Sequence, residues 1–137
     1  MRMSQFFSEF ILDHADIQKI EDLPDQHSVV IHMGFSNWMQ QSYKAGQPEF
    51  VEGLLVLSGV EDFLSDPGLN TLVFGQHADG EVMSYGHVPV RDKPGLEAGE
   101  IVIEWWDHNT HIAIVVILSF LARDVQWIPH DSSPTSN

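Results

Sequence analysis

The chain has 137 residues, 43% of them apolar and 10% aromatic, with twenty Asp and Glu against six Lys and Arg for a formal net charge of −14. That length and apolar content give one domain with its own core and exclude a wholly disordered chain. The absence of cysteine excludes disulfides, thiolate nucleophiles and zinc–thiolate sites, while the negative field repels nucleic acid and anionic membranes and speeds encounter with basic partners.

In chain order, Ser4 to Leu12 places Phe6, Phe7, Phe10 and Ile11 at helical spacing, with Ser4 as a candidate N-cap, so a short helix or an extended arm is expected. Glu9 and Asp13 interrupt any signal-peptide pattern there. A strand is expected over Ala15 to Asp22, then a turn at Leu23-Pro24-Asp25, then a strand from Ser28 to Phe35. Ser36 to Pro48 reads as a polar loop carrying Trp38 and Tyr43, and Phe50 to Ser58 as a strand that Gly59 ends. After a turn at Asp66-Pro67-Gly68, Leu69 to Gln76 reads as a strand. Ala78-Asp79-Gly80 reads as a hairpin turn, flanked by His77 and Glu81, with Glu81 to Val90 returning. Pro89 suits an edge or a strand end, and Arg91 to Gly99 is a turn-rich connection.

The stretch from Glu100 to Trp127 is the strongest signal. Ile101, Ile103 and Trp105 alternate with Val102, Glu104 and Trp106, four turn formers follow from Asp107 to Thr110, and Ile112 to Ala122 is apolar apart from Ser119. This is a hairpin whose return strand should be buried on both faces and central in its sheet. The same run is too short for a membrane helix, which needs roughly 20 residues. The expectation is therefore a cytoplasmic, mainly β protein, an antiparallel sandwich or strongly curved sheet with at most a short N-terminal helix. One domain spans 1–128, and 129–137 is a polar, disordered tail.

No nucleophile elbow, dinucleotide fingerprint, phosphate loop or His-Glu-x-x-His motif is present, so no catalytic residue and no cofactor is expected. Adjacent Trp105 and Trp106 must point to opposite faces. One enters the core, and the other, rimmed by Glu104 and Asp107, has the character of an interface anchor. Trp106, Glu104, Asp107 and Trp38 are the candidate partner contacts. Asp107, His108 and His111 around the hairpin turn are the alternative, as metal ligands, although Asp and Asn in turns ordinarily bond the local backbone. His14 and Asp16 read as strand-start capping, and His77, Asp79 and Glu81 as solvated tip residues.

Two stretches carry a family resemblance. His14-Ala15-Asp16-Ile17-Gln18-Lys19-Ile20 followed by Val29-Val30-Ile31-His32-Met33, and later Gly53 to Phe63 with its Ser58-Gly59-Val60, all in the first half of the chain, resemble small bacterial β-rich immunity proteins of polymorphic toxin systems. Here the order is His-Ala-Asp rather than His-Asp-Ala, and Leu57 stands where phenylalanine is usual. The resemblance implies a sandwich that neutralises a cognate toxin, and it transfers no functional residue. Together with the charge it gives the expected function: a non-catalytic acidic inhibitor of a basic protein toxin, binding neither nucleic acid nor membrane. The rival expectations are a small-ligand or metal-binding β-domain and a structural subunit that forms a homodimer through an edge strand.

Overall fold

Alternating apolar residues leave each strand with one face to bury, and one curled sheet buries them all. The computed structural model describes residues 1–75 and 78–130. A helix, α1 (Met3–Glu9), precedes eight strands: β1 (Asp16–Leu23), β2 (Ser28–Ser36), β3 (Phe50–Ser58), β4 (Asp62–Asp66), β5 (Ala78–His87), β6 (Glu97–Asp107), β7 (Ile112–Ala122) and β8 (Asp124–Pro129). All pair antiparallel in the order β4-β7-β6-β5-β1-β2-β3-β8.

The curl follows from connectivity. β7 is second in this order and β8 is last, yet only Arg123 separates them in sequence. Laid flat, strands spaced by roughly 4.8 Å would hold them about 30 Å apart, far beyond the reach of one residue. The sheet therefore bends back on itself. The Arg123 N–H donates to the Ser58 carbonyl at 3.1 Å, and the Glu61 N–H to that of Leu121 at 3.0 Å. These bonds form a seam at one end, although β4 and β8 do not pair and the sheet stays open. Of the two architectures expected, the chain adopts the strongly curved sheet.

Inside the curl, Ile17, Ile31, Met33, Leu55, Leu57, Ile101, Ile103, Leu118 and Phe120 are buried, and α1 plugs the space with Met3 and Phe6. Phe6 stacks on Phe10 with centroids 4.6 Å apart. Gly99 makes room for the helix, since a Cβ there would sit 2.5 Å from the Phe120 ring and 2.9 Å from Met3 Sδ. Ser4 is not the N-cap; Arg2 holds that position without a side-chain bond. The Ser4 N–H and hydroxyl instead donate to Glu97 Oε1 at 2.9 and 3.0 Å, and Arg2 Nη2 donates to Glu97 Oε2 at 3.0 Å.

Several expectations are corrected. The return strand β7 lies next to the edge strand β4 and is not buried on both faces: only its inward Val116, Leu118 and Phe120 and its last residues Leu121 and Ala122 are buried. Ile112, Ile114, Val115 and Ile117 are exposed. Leu69 to Gly75 is not a strand: it forms a 3-10 turn at Leu69–Thr71 and then a cap over the open end. There Leu72 is buried and Phe74 meets Trp105 edge-on at 5.4 Å. Gln76 and His77 lie outside the described residues. Ala78-Asp79-Gly80 is not a turn but the start of β5. Gly80 is needed for space, since a Cβ would lie 2.5 Å from Ile103 Cγ2 and 2.6 Å from Trp105 Cε3. β4 had no counterpart in the sequence reading, and Glu97–Gly99 already belongs to β6. β8 is a separate strand on β3 rather than an extension of the hairpin, and it runs to Pro129. The His130 N–H donates to the Glu52 carbonyl at 2.8 Å; the remainder of the expected tail, 131–137, lies outside the described residues.

Candidate functional site

The outer face of the sheet is where the chemistry gathers. Strand pairing sets Glu104 directly opposite Glu81, and Glu81 directly opposite Asp16. Asp16 in turn faces Gly34, which faces Glu52. This is a ladder of carboxylates across five strands with one gap at Gly34. Asp79 lies one row away, opposite Trp106. Like charges directly opposite one another in a sheet are destabilising, and the fold sets an imidazole, His14, against the middle one, Glu81.

These residues line a cavity of about 300 Å³ formed by His14, Asp16, Asp79, Gly80, Glu81, Glu104, Trp106 and His108. Among the described residues, no lysine or arginine lines it. Two imidazoles meet its carboxylates: His14 Nδ1 lies 2.5 Å from Glu81 Oε2, and His108 Nε2 lies 3.0 Å from Asp79 Oδ1. His14 holds a left-handed backbone, φ 61°, at the start of β1, a conformation uncommon outside glycine. Asp16 takes a bond from Gln18 Nε2 at 2.8 Å. Partial burial, then the neighbouring Asp79 and Glu52 charges, push the Asp16 carboxyl above its usual range, with the Gln18 bond opposing them.

The indole of Trp106 is half-buried and walls one side. The His108 ring meets it edge-on at 6.0 Å, and the His111 ring lies tilted against it at 6.5 Å. A flat aromatic wall beside several carboxylates is a receptor for an ammonium or guanidinium group, which gains from the ring face and from charge-assisted hydrogen bonds together. The described lining offers carboxylates, imidazoles and one indole.

Of the sequence-derived candidates, Glu104, Trp106 and His108 are brought together. Asp107 ends β6, and its carboxylate accepts the Asn109 N–H at 2.9 Å, the local turn bond that its residue type favours. His111 sits at the rim against Trp106. Trp38 is 58% exposed on a 3-10 turn after β2. Strands β5 and β1 lie between β2 and the Trp106 strand, and Trp38 does not line the cavity. His14, Asp16, Asp79 and Glu81 join the site because β1 and β5, distant in sequence, are neighbours. Their only sequence signal was charge placed in alternation with Ile17, Gly80 and Val82.

A second constellation lies towards the seam. Among the described residues, ligand atoms of His87, Asp92 and Glu97 come within 4.8 Å of one another, as a metal ion would require. Asp107, His108 and His111 form no such group. In the first trio the carboxylates are already engaged. Glu97 holds Arg2 and Ser4, and Asp92 Oδ1 accepts the Ala98 N–H at 2.8 Å. His87 Nε2 lies 2.8 Å from Asp92 Oδ2. Burial alone would raise the Glu97 carboxyl, but Ser4, Arg2 and His87 together hold it below its ordinary range. The Ala98 N–H, followed by His87 and Arg2, does the same for Asp92 against a smaller desolvation effect. The arrangement is a clasp for the N-terminus.

No family model, no curated protein and no solved structure matches the chain. No helix is long and apolar enough to cross a membrane among the described residues.

Proposed function

We propose that the chain is a non-catalytic binding protein that neutralises a basic protein toxin by covering its active surface. A lysine or arginine of the toxin seats against Trp106 among Glu104, Glu81, Asp79 and Asp16. One observation carries this reading: the carboxylate ladder Glu104–Glu81–Asp16, walled by an indole and, among the described residues, lacking any lysine or arginine. Direct like-charge pairs cost stability in the free protein, and a cation of the partner relieves that cost on binding. The net charge of −14 acts at longer range, accelerating encounter with a cationic surface and disfavouring anionic ones. The resemblance of the first half to toxin immunity proteins supports the same reading.

The test is affinity capture of the tagged chain from its native host, with the neighbouring reading frame expressed. The reading expects one basic protein, toxic when expressed alone and harmless together with the chain. Recovery of no such protein, with the neighbour harmless by itself, contradicts it.

A further inference from the structure

The hairpin that carries Trp106 also carries an unguarded edge. β4 pairs with β7 only from Ile117 to Leu121. The next position of β4 is Pro67, which has no N–H to donate. Ile112–Val116 therefore pairs with β6 on one side only, and among the described residues its outward backbone groups have no ladder partner. Its side chains are Ile-Ala-Ile-Val-Val, without charge or proline, and Ile112 and Val115 are each 58% exposed. The two terminal strands of the sheet are protected in the usual ways. β4 begins and ends with Asp62 and Asp66, and β8 carries Asp124 and Pro129.

We propose that an extended segment of a cationic partner adds to this edge as a ninth strand. The proposal rests on the binding function given above and specifies how the partner reaches the cavity. Ala113 lies directly opposite Trp106, and Val115 opposite Glu104. An added strand would stand two spacings, roughly 9.5 Å, from β6, and an arginine or lysine on its outer face spans that gap over the small Ala113. Backbone pairing supplies affinity, and the basic side chains supply selectivity. Charge decides between this occupant and a second copy of the chain. A second copy would bring another chain of charge −14, whose field repels the first, whereas a basic strand brings the opposite sign.

The test uses the whole chain and three eight-residue synthetic peptides: alternating Arg-Val, the same peptide with alternate backbone nitrogens methylated, and alternating Thr-Val. Affinity is read by calorimetry and amide exchange by NMR. The expected result is that Arg-Val binds, slows exchange at Ile112–Val116 by at least about tenfold, and loses at least about tenfold in affinity on methylation. Equal binding of the methylated peptide without slowed exchange overturns the edge strand and leaves the cation-binding cavity standing. Equal binding of Thr-Val with the same protection overturns the cationic partner. Protection that rises with protein concentration alone, together with a doubled mass, assigns the edge to a second copy and overturns the proposed occupant. Binding of none of the peptides overturns both the edge strand and the cationic reading.

Discussion

Trp105 and Trp106 are neighbours in sequence and opposites in surroundings. Trp105 points into the curl, is 2% exposed, and donates its Nε1–H to the Val73 carbonyl at 3.2 Å. Trp106 points outward into a ring of carboxylates. The inner face is apolar and satisfied, whereas the outer face places like charges directly opposite one another. The difference separates the residues that make the fold from those that the fold carries at a cost.

That contrast breaks most sharply in the tryptophans themselves. Trp105→Ala empties a packed site and is expected to cost about 3–5 kcal/mol in denaturant unfolding, whereas Trp106→Ala is expected to stay within about 1 kcal/mol of the parent. Equal losses would dissolve the distinction. Gly80→Ala, which forces a Cβ against Ile103 and Trp105, is expected to cost about 1–3 kcal/mol by overpacking, and its unfolding midpoint measures this directly.

The clasp gives a pH prediction. The folded Glu97 carboxyl lies below its unfolded value of 4.5, so its contribution is present above that pH and is lost as pH falls through the lower folded value. Glu97→Ala, which removes charge-assisted bonds to Ser4 and Arg2, is expected to cost about 2 kcal/mol at neutral pH. Thermal melts from pH 7 to pH 3 should show the gap between parent and variant closing on the acid side; a constant gap would mean that the Glu97 charge is not what holds the clasp.

The smallest effect has the opposite sign. Asp16 is raised, so its contribution is present below its unfolded value of 3.8 and is lost as pH rises through the higher folded value. Asp16→Asn, which removes a partly buried charge beside Asp79 and Glu52, should therefore stabilise the free protein at neutral pH by about 0.5 kcal/mol, the scale of one charge contact, while weakening its hold on a cation. A variant no more stable than the parent at pH 7 would remove the cost assigned to burying Asp16 beside Asp79 and Glu52.

Sequence patterning exposed what is local. The bounds of β3 at Phe50 and Ser58, the turn after Asp107 and the opposition of Trp105 to Trp106 all follow from alternation and turn chemistry over a few residues. Asp79-Gly80 misled, because the same dipeptide serves a tight turn and a strand position that must clear an indole. The two-faced burial expected of β7 fails because an apolar run does not reveal whether a second layer covers its outward face, where Val115 and Ile117 are exposed. Half of the site, His14 with Asp16 and Asp79 with Glu81, was hidden for a related reason. Their convergence depends on β1 lying beside β5, and strand order is a long-range property that no spacing encodes.

The central claim is that the outer-face ladder and Trp106 bind the cationic partner. Its most direct test is the dissociation constant for the captured basic protein, measured for the parent and for a variant carrying Glu104→Lys and Trp106→Ala. The account predicts binding about a hundredfold weaker, the loss expected of a central aromatic and charge pair, with the unfolding midpoint nearly unchanged. An unaltered dissociation constant would contradict it.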